Sequence, residues 1–176
     1  MIGAIVAFLV GGPAEAQPVG GLELAAAAGF AAGAVPGGGF QARFSFQSQR
    51  FSLGPEFLGL WSSRRRTRLL GLSARYQLGR DGGVRPHFAV GAGFYTRDRL
   101  LSFPFGPPGP SPMVIEDWVG TSSRSSSVGG GLTLGGPGGT LRVIVEGRYH
   151  NVVARGDPTL RGRGLWTSTA GVRIRW

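Results

Sequence analysis

His87 and His150 are the two histidines of the sequence, and an active site would need one of them beside a nucleophile. The chain has no cysteine, which excludes disulfide scaffolds, thiolate metal sites and cysteine nucleophiles. No spacing of histidine, aspartate and glutamate converges on a metal. The glycine-rich segment at 128–139 lacks the lysine of a phosphate-binding loop. We therefore expect no enzyme activity, no cofactor and no metal.

Arginine is the dominant charged residue. All 19 basic residues are arginines, they face 9 acidic residues, and the formal net charge is +10. Such a balance raises nucleic acid as a partner. Most of the arginines, however, are spread singly along the chain, and clustering on one face is what a nucleic-acid site needs. We therefore expect no nucleic-acid partner.

Alternation with a period of two residues recurs throughout the chain after residue 16, and no helical periodicity competes with it. Alternation and turn residues together predict an all-β protein with eight strands. These strands are expected at 21–32, 39–47, 51–62, 67–79, 84–97, 124–135, 140–153 and 164–176. The connections after strands two, four and six are short, whereas 98–123 and 154–163 are long loops at the other end.

Most of the predicted strands have one apolar and one polar face. In the seventh strand, Leu141, Val143 and Val145 oppose Arg142 and Glu146. The third strand departs from this pattern, because Leu58 and Leu60 share the face of Glu56. Glycines accompany the charged face, as a narrow barrel interior requires. Eight charged residues are expected to form a network in the lumen: Glu23, Arg43, Glu56, Arg75, Arg142, Glu146, Arg148 and Arg173.

Aromatic residues recur on the apolar face at intervals of ten. Trp166 and Trp176 show this spacing in the last strand, and Phe51 and Trp61 show it in the third. At about 3.3 Å per residue and a tilt near 40°, ten residues rise roughly 25 Å, the height of the lipid-facing band of a membrane barrel. We expect these four residues to form two aromatic girdles.

The first 16 residues have the pattern of a signal peptide, with an apolar run followed by small residues around Glu15. Cleavage there predicts a mature domain of residues 17–176. No Lys or Arg precedes the run, which leaves open a start further upstream. A buried N-terminal strand is the alternative reading.

The sequence resembles the small outer-membrane β-barrels of Gram-negative bacteria, of the OmpA, OmpX and OmpW kind. The resemblance covers residues 21–176 and depends on the strand layout, on "VRPHFAVGAGFY" and "LRVIVEGRYH", and on the terminal "AGVRIRW". It implies an eight-stranded, antiparallel, up-and-down transmembrane barrel in the bacterial outer membrane. The family's assembly machinery is thought to recognise the last strand, and the matching residues here are Ala170, Val172, Ile174 and Trp176.

The resemblance also implies a function: a non-catalytic structural or surface-interaction platform that acts through its loops as a monomer. A narrow pore for small solutes is an alternative. A lipid A enzyme is a weaker one, because Val152 stands where the lipid A deacylases have a serine two residues after the histidine.

Two loop features could meet a partner. Arg64, Arg65 and Arg66 would lie where lipopolysaccharide phosphates sit, with a solvated loop cluster as the alternative. The tripeptide at 155–157 could mimic an adhesion motif, although three residues are a weak match. The loop at 98–123 adds exposed apolar groups, among them Phe103 and Trp118, which either bind a partner or fold over the barrel mouth.

Overall fold

The computed structural model describes residues 19–31, 37–48, 50–78, 83–105, 113–136, 139–153 and 164–176. The predicted signal peptide at 1–16 and the tripeptide at 155–157 lie outside the described residues. Eight strands make up the fold: β1 (Val19–Ala31), β2 (Gly37–Ser48), β3 (Phe51–Ser62), β4 (Arg65–Gln77), β5 (Val84–Phe105), β6 (Met113–Leu134), β7 (Leu141–Val153) and β8 (Leu165–Arg175).

Each strand pairs antiparallel with the next, and β1 pairs with β8 to close the barrel. The closing ladder runs from Gly21 opposite Arg175 to Ala31 opposite Leu165. Closure leaves no sheet edge along the paired part of the strands, so backbone groups there bond to a neighbouring strand. The predicted all-β, eight-stranded, up-and-down barrel is confirmed.

The barrel carries its apolar side chains on the outside. Leu70, Leu72 and Phe94 are 60%, 59% and 66% exposed, whereas Glu23 and Arg43 are fully buried in the interior. A soluble barrel has the opposite arrangement, because burying apolar surface drives its folding. An apolar band of this extent is stable only when something other than water covers it.

Glycines at inward positions let neighbouring strands approach closely. Gly71 of β4 lies opposite Gly93 of β5. A Cβ at Gly93 would lie 2.7 Å from the Cα of Gly71, and a Cβ at Gly71 would lie 2.9 Å from the Cα of Gly93. Any larger residue at either position would push β4 and β5 apart.

The predicted long loop at 98–123 is wrong. β5 continues to Phe105 and β6 begins at Met113, and the two remain paired along this whole length. β4 stops pairing with β5 at Arg99, and β7 stops pairing with β6 at Arg124. A two-stranded hairpin therefore projects beyond the barrel wall.

The connection after β3 is also shorter than predicted. Only Ser63 and Arg64 lie between β3 and β4, instead of the predicted segment 63–66. Arg65 and Arg66 therefore belong to β4, where consecutive side chains point to opposite faces of the sheet. The three consecutive arginines cannot act as a single cluster.

Candidate functional site

The interior of the barrel has two layers. Toward the short-turn end lies a charged layer, which contains most of the predicted lumen network and is anchored by Arg75. This residue bridges two strands, because its Nη2 donates to Glu23 Oε1 at 2.7 Å and its Nε donates to Glu146 Oε2 at 2.6 Å. Arg75 thus links β1, β4 and β7 across the lumen.

Further contacts extend the charged layer. Arg173 Nη2 donates to Glu23 Oε2 at 3.0 Å across the closing ladder of β1 and β8. Arg148 donates to both carboxylate oxygens of Glu56 at 2.9 Å and also pairs with Glu146. Every carboxylate in this layer therefore has at least one arginine partner, as burial of charge requires.

His87 joins the same layer. Its Nε2 lies 2.8 Å from Glu146 Oε2, and its Nδ1 lies 3.4 Å from Thr133 Oγ1. Glu146 consequently contacts groups from three strands: Arg75, His87 and Arg148. His87 was not among the residues predicted for the lumen network.

Arg43 and Glu56 both belong to the predicted lumen network, but the two side chains form no ion pair. Although Arg43 lies opposite both Glu23 and Glu56 in the strand register, its Nη2 donates to the backbone oxygens of Ser52 at 3.3 Å and Ser73 at 3.0 Å. Arg148 reaches Glu56 from β7 instead. A long side chain inside a narrow barrel can cross the lumen, so its partner is not set by the neighbouring strand. Arg142, the eighth predicted member, is buried and lies opposite Arg173.

An apolar layer fills the loop-side half of the lumen. Seven residues form it: Ala27, Leu58, Leu60, Leu69, Tyr95, Val152 and Leu165. Leu58 and Leu60 are therefore no exception to the inward face of β3, because this half of the interior is apolar. The alternation of polar and apolar residues did not predict that the lumen changes from charged to apolar along its axis.

Leu58→Ala is expected to lower the free energy of unfolding by about 2 to 5 kcal/mol, since Leu58 is only 1% exposed and its truncation leaves a cavity. Urea titration of the barrel in lipid vesicles measures this loss. The matched control is Leu101→Ala on the projecting hairpin, where the side chain is 38% exposed and little change is expected. Equal losses for the two variants would contradict a packed apolar layer.

His150 also faces the interior. It is 1% exposed, and its Nε2 lies 3.0 Å from Thr167 Oγ1. Val152, two residues further along β7, belongs to the apolar layer. Among the described residues, no group of three or more His, Cys, Asp and Glu side chains is placed to hold a metal ion.

The four predicted girdle residues lie near the two ends of their strands on the outer face. Trp61 stacks on Phe40 with ring centroids 5.5 Å apart, and Trp166 lies 5.0 Å from Tyr149. At the short-turn end, Trp176 packs 6.0 Å from Phe44, and Phe51 begins β3. Ala170, Val172 and Ile174 share the exposed outer face of β8 with Trp176.

The three consecutive arginines separate in the structure. Arg64 occupies the β3–β4 turn, Arg65 faces the barrel mouth, and Arg66 lies on the outer face with its guanidinium 4.1 Å from the centre of the Trp118 ring. Such a cation–π contact stabilises the Arg66 guanidinium over the Trp118 ring. Sequence reasoning overlooked Arg68, which pairs with Asp98 at 2.5 Å on the same outer face.

Arg124 of β6 is another exposed arginine on the outer face that sequence reasoning did not single out. It precedes the exposed apolar residue Val128 by four residues, which is two outward positions on the same strand. Both Arg68 and Arg124 could have been recognised from the two-residue alternation. Each occupies an outward position that continues the apolar face of its strand toward the loop end.

Comparison with known proteins identifies the fold. No family model and no curated protein sequence matches the chain. Among solved structures, Neisserial surface protein A matches with a TM-score of 0.69 at 15% identity, over 89% of this chain and 97% of that one. The N-terminal β-barrel domain of Pseudomonas aeruginosa OprF matches with a TM-score of 0.54 at 15% identity, over 91% and 100%.

Ail, the attachment invasion locus protein of Yersinia pestis, matches with a TM-score of 0.53 at 12% identity, over 92% of this chain and 99% of that one. The chain therefore has the fold of the eight-stranded outer-membrane β-barrels, as the sequence resemblance implied. No helix that could cross a membrane is present among the described residues.

Proposed function

We propose that the protein resides in the bacterial outer membrane and acts as a non-catalytic surface platform. The observation that carries the membrane part is the reversed polarity of the barrel, with leucine and phenylalanine exposed outside and charge buried inside. Lipid is the surrounding that stabilises such a face, and closed strand pairing satisfies the backbone within it.

The projecting hairpin of β5 and β6 supports the platform role. Beyond Arg99 and before Arg124, its strands pair only with each other, and they expose Phe103, Ile115 and Val119. A two-stranded arm with exposed apolar side chains is suited to contact another surface. Two proteins of this fold, Neisserial surface protein A and Ail, are named for the cell surface and for attachment.

Arginines on the outer face give the platform a further partner, lipopolysaccharide. Arg66 and Arg68 project from β4 and Arg124 projects from β6, next to outward apolar residues such as Leu70 and Phe94. A guanidinium at this level can pair with the phosphates of lipid headgroups through its planar fork of donors. Arg64, in the adjacent turn, completes this belt, whereas Arg65 does not belong to it.

Localisation and surface exposure test the proposal. Cells that express the full chain are fractionated, and intact cells are treated with a protease. The proposal expects the protein in the outer-membrane fraction and cleavage confined to the projecting hairpin and loops. Recovery from the soluble or inner-membrane fraction would refute it. In detergent, an unheated sample should also migrate faster on a gel than a boiled one, because the closed barrel resists unfolding.

We also propose that the barrel-assembly machinery recognises Ala170, Val172, Ile174 and Trp176 on β8, and that the assembled protein is a monomer. Trp176 lies on the seam of the barrel, because its backbone nitrogen donates to the oxygen of Gly20 at 3.2 Å and its ring contacts Gly20. β8 must pair with β1 to close the barrel. A recognition element on β8 therefore lies on the strand whose pairing completes assembly.

Trp176→Ala is expected to lower the amount of assembled barrel in the membrane several-fold, because it removes an aromatic anchor and the last element of the proposed signal. The fast-migrating band on unheated gels measures the assembled fraction. Trp118→Ala, an equal deletion on the projecting hairpin, is the control and should assemble normally. Normal membrane levels of the Trp176 variant would show that recognition does not depend on this ring.

A further inference from the structure

The far end of the projecting hairpin is uncharged. Residues 100–115, which we call the hairpin tip, include no Asp, Glu, Lys, Arg or His, whereas Arg99 precedes them and Glu116 follows them. Within the tip, β5 and β6 pair with each other as far as Phe105 and Met113. The charged side chains of the hairpin therefore all lie nearer to the barrel than the tip does.

Apolar side chains are exposed on both faces of the hairpin tip. Phe103 and Ile115 lie directly opposite each other and have the parity of the inward face, whereas Val114 has the parity of the outward face. Each of these three side chains is about half exposed. A groove on a protein would cover one face of such an arm and leave the other face in water. A fluid apolar phase would cover both faces at once, which removes more apolar surface from water.

The strand edges of the hairpin are poorly suited to the addition of a peptide strand. On β5, the N–H of Leu100 donates to the backbone oxygen of Arg64 at 3.1 Å, and Pro104, which lies on the same edge by alternation, has no N–H. On β6, the N–H of Trp118 donates to Oδ1 of Asp117 at 2.7 Å. Strand addition needs a row of free N–H and C=O groups, and proline interrupts such a row. These features disfavour an extended peptide as the partner.

The composition of the hairpin tip lowers the cost of leaving water. Its sequence contains five prolines, each of which lacks an N–H that would otherwise need a partner. The ladder between β5 and β6 satisfies backbone groups of the paired part. Open strand edges are not tolerated deep in hydrocarbon. The tip is therefore suited to a shallow position at a membrane surface and not to crossing a membrane.

We propose that the hairpin tip inserts into the surface of an apposed zwitterionic phospholipid membrane. Phe103, Val114 and Ile115 would enter the boundary between headgroups and acyl chains to a depth of about 5 to 10 Å, as the apolar faces of interfacial segments do. Glu116 and Asp117, which are exposed where the tip ends, would lie among the headgroups, where an anionic surface would repel them. The inference rests on the proposed function and deepens it, since it names a lipid surface as the partner of the hairpin.

Fluorescence of a single labelled position tests the proposal. The chain has no cysteine, so Ser102→Cys allows a nitrobenzoxadiazole label to be attached to the tip of the full chain in lipid nanodiscs. Phosphatidylcholine vesicles with a nitroxide on the acyl chain are then added. We expect a blue shift and quenching of this label, and neither change for the same label on Ser63→Cys in the β3–β4 turn. Both changes should persist in about 0.5 M salt, because apolar burial and not charge drives insertion.

Variants that carry the same label identify the side chains that insert. Phe103→Thr with Ile115→Thr should lower partitioning onto the vesicles at least about tenfold, because two apolar side chains become polar while both positions keep a strand-forming residue. Val119→Thr is the matched control and should bind normally, since Val119 is similarly exposed but lies on the barrel side of Asp117. Each variant is first shown to be folded by its faster migration on an unheated gel.

Three results would overturn the proposal. The first is an unchanged fluorescence of the tip label when the barrel is folded and inserted, which would leave the membrane location intact. The second is partitioning of folded Phe103→Thr/Ile115→Thr at the wild-type level. The third is binding to erythrocyte membranes that is lost once their proteins are digested, because the partner would then be a protein. Failure of the chain to insert into nanodiscs would contradict the membrane location itself, and this inference with it.

Discussion

Replacing Glu146 with alanine is expected to lower the free energy of unfolding by about 3 to 5 kcal/mol, the typical cost of removing one partner from a buried ion pair. The side chain of Glu146 is 1% exposed and contacts Arg75, His87 and Arg148. Without Glu146, Arg148 keeps only Glu56 and Arg75 keeps only Glu23 as a carboxylate partner. Each of these two buried arginines then has one carboxylate fewer in a space that excludes water.

Urea titration in lipid vesicles, followed by tryptophan fluorescence, measures this effect. Glu116→Ala is the control, because Glu116 is exposed on the projecting hairpin and its contact is a 3.4 Å hydrogen bond from Ser102. An exposed polar contact contributes about 0 to 1 kcal/mol. If Glu146→Ala fails to fold, Glu146→Gln keeps the volume and should still be less stable than the wild type. Equal stability of the Glu146 and Glu116 variants would mean that water, and not arginine, solvates the lumen charges.

The strand layout could be predicted from sequence because an apolar exterior and a charged interior impose opposite demands on alternate residues. The alternating pattern ends where the apolar outer band ends. Beyond Tyr95, β5 carries Thr96 and Asp98 on one face and Arg97 and Arg99 on the other. Outside the barrel wall both faces of the hairpin meet water, so alternation no longer marks a strand, and the segment 98–123 read as a loop.

The interior could be predicted only as a set of residues and not as a set of contacts. Parity places Glu23, Arg75 and Glu146 on the inward face, but Arg75 reaches β1 and β7 from β4, across the lumen. Register places Arg43 directly opposite Glu56, but the ion pair of Glu56 forms with Arg148 of β7. Side-chain reach across a narrow barrel decides these pairs, and a single sequence carries no information about it.

The apolar layer was not foreseen for a related reason. The pattern of a membrane barrel places apolar residues on the outer face and polar residues inside. A leucine at an inward position therefore contradicts this pattern instead of predicting an apolar layer. Leu58, Leu69 and Leu165 come from three different strands and form a layer only when the barrel closes. The directions of the three consecutive arginines could not be predicted from the sequence either. The structure shows a two-residue turn at Ser63 and Arg64, and this turn makes Arg65 face the mouth and Arg66 face outward.

The wild-type barrel is expected to pass no steady ion current in a planar bilayer, because two different layers close its lumen in series. An ion would have to enter the apolar layer around Leu58 and Tyr95 without water and then displace the paired charges around Arg75. Removal of charge from water carries a large cost. A steady large conductance of the wild-type protein would favour the solute-passage alternative.

Variants that open the two layers one after the other test whether both layers block the lumen or only one of them does. Leu58→Ala with Tyr95→Ala should leave the current near zero, since the charged layer still spans the lumen. Adding Glu56→Ala and Arg148→Ala removes both partners of one ion pair, which leaves no orphaned charge between those two positions. These residues line a small gap that also touches Leu69, so their removal should join this gap to the opened apolar layer.

The fourfold variant should therefore conduct, and it should prefer anions. Among the described residues, seven arginines but only three glutamates are buried, and the excess of positive charge remains after one of each is removed. Reversal potentials in a salt gradient measure this preference. Conduction by the Leu58→Ala/Tyr95→Ala variant alone would show that the charged layer is hydrated and permeable, and a cation preference of the fourfold variant would show that the buried arginines do not set the potential inside the barrel.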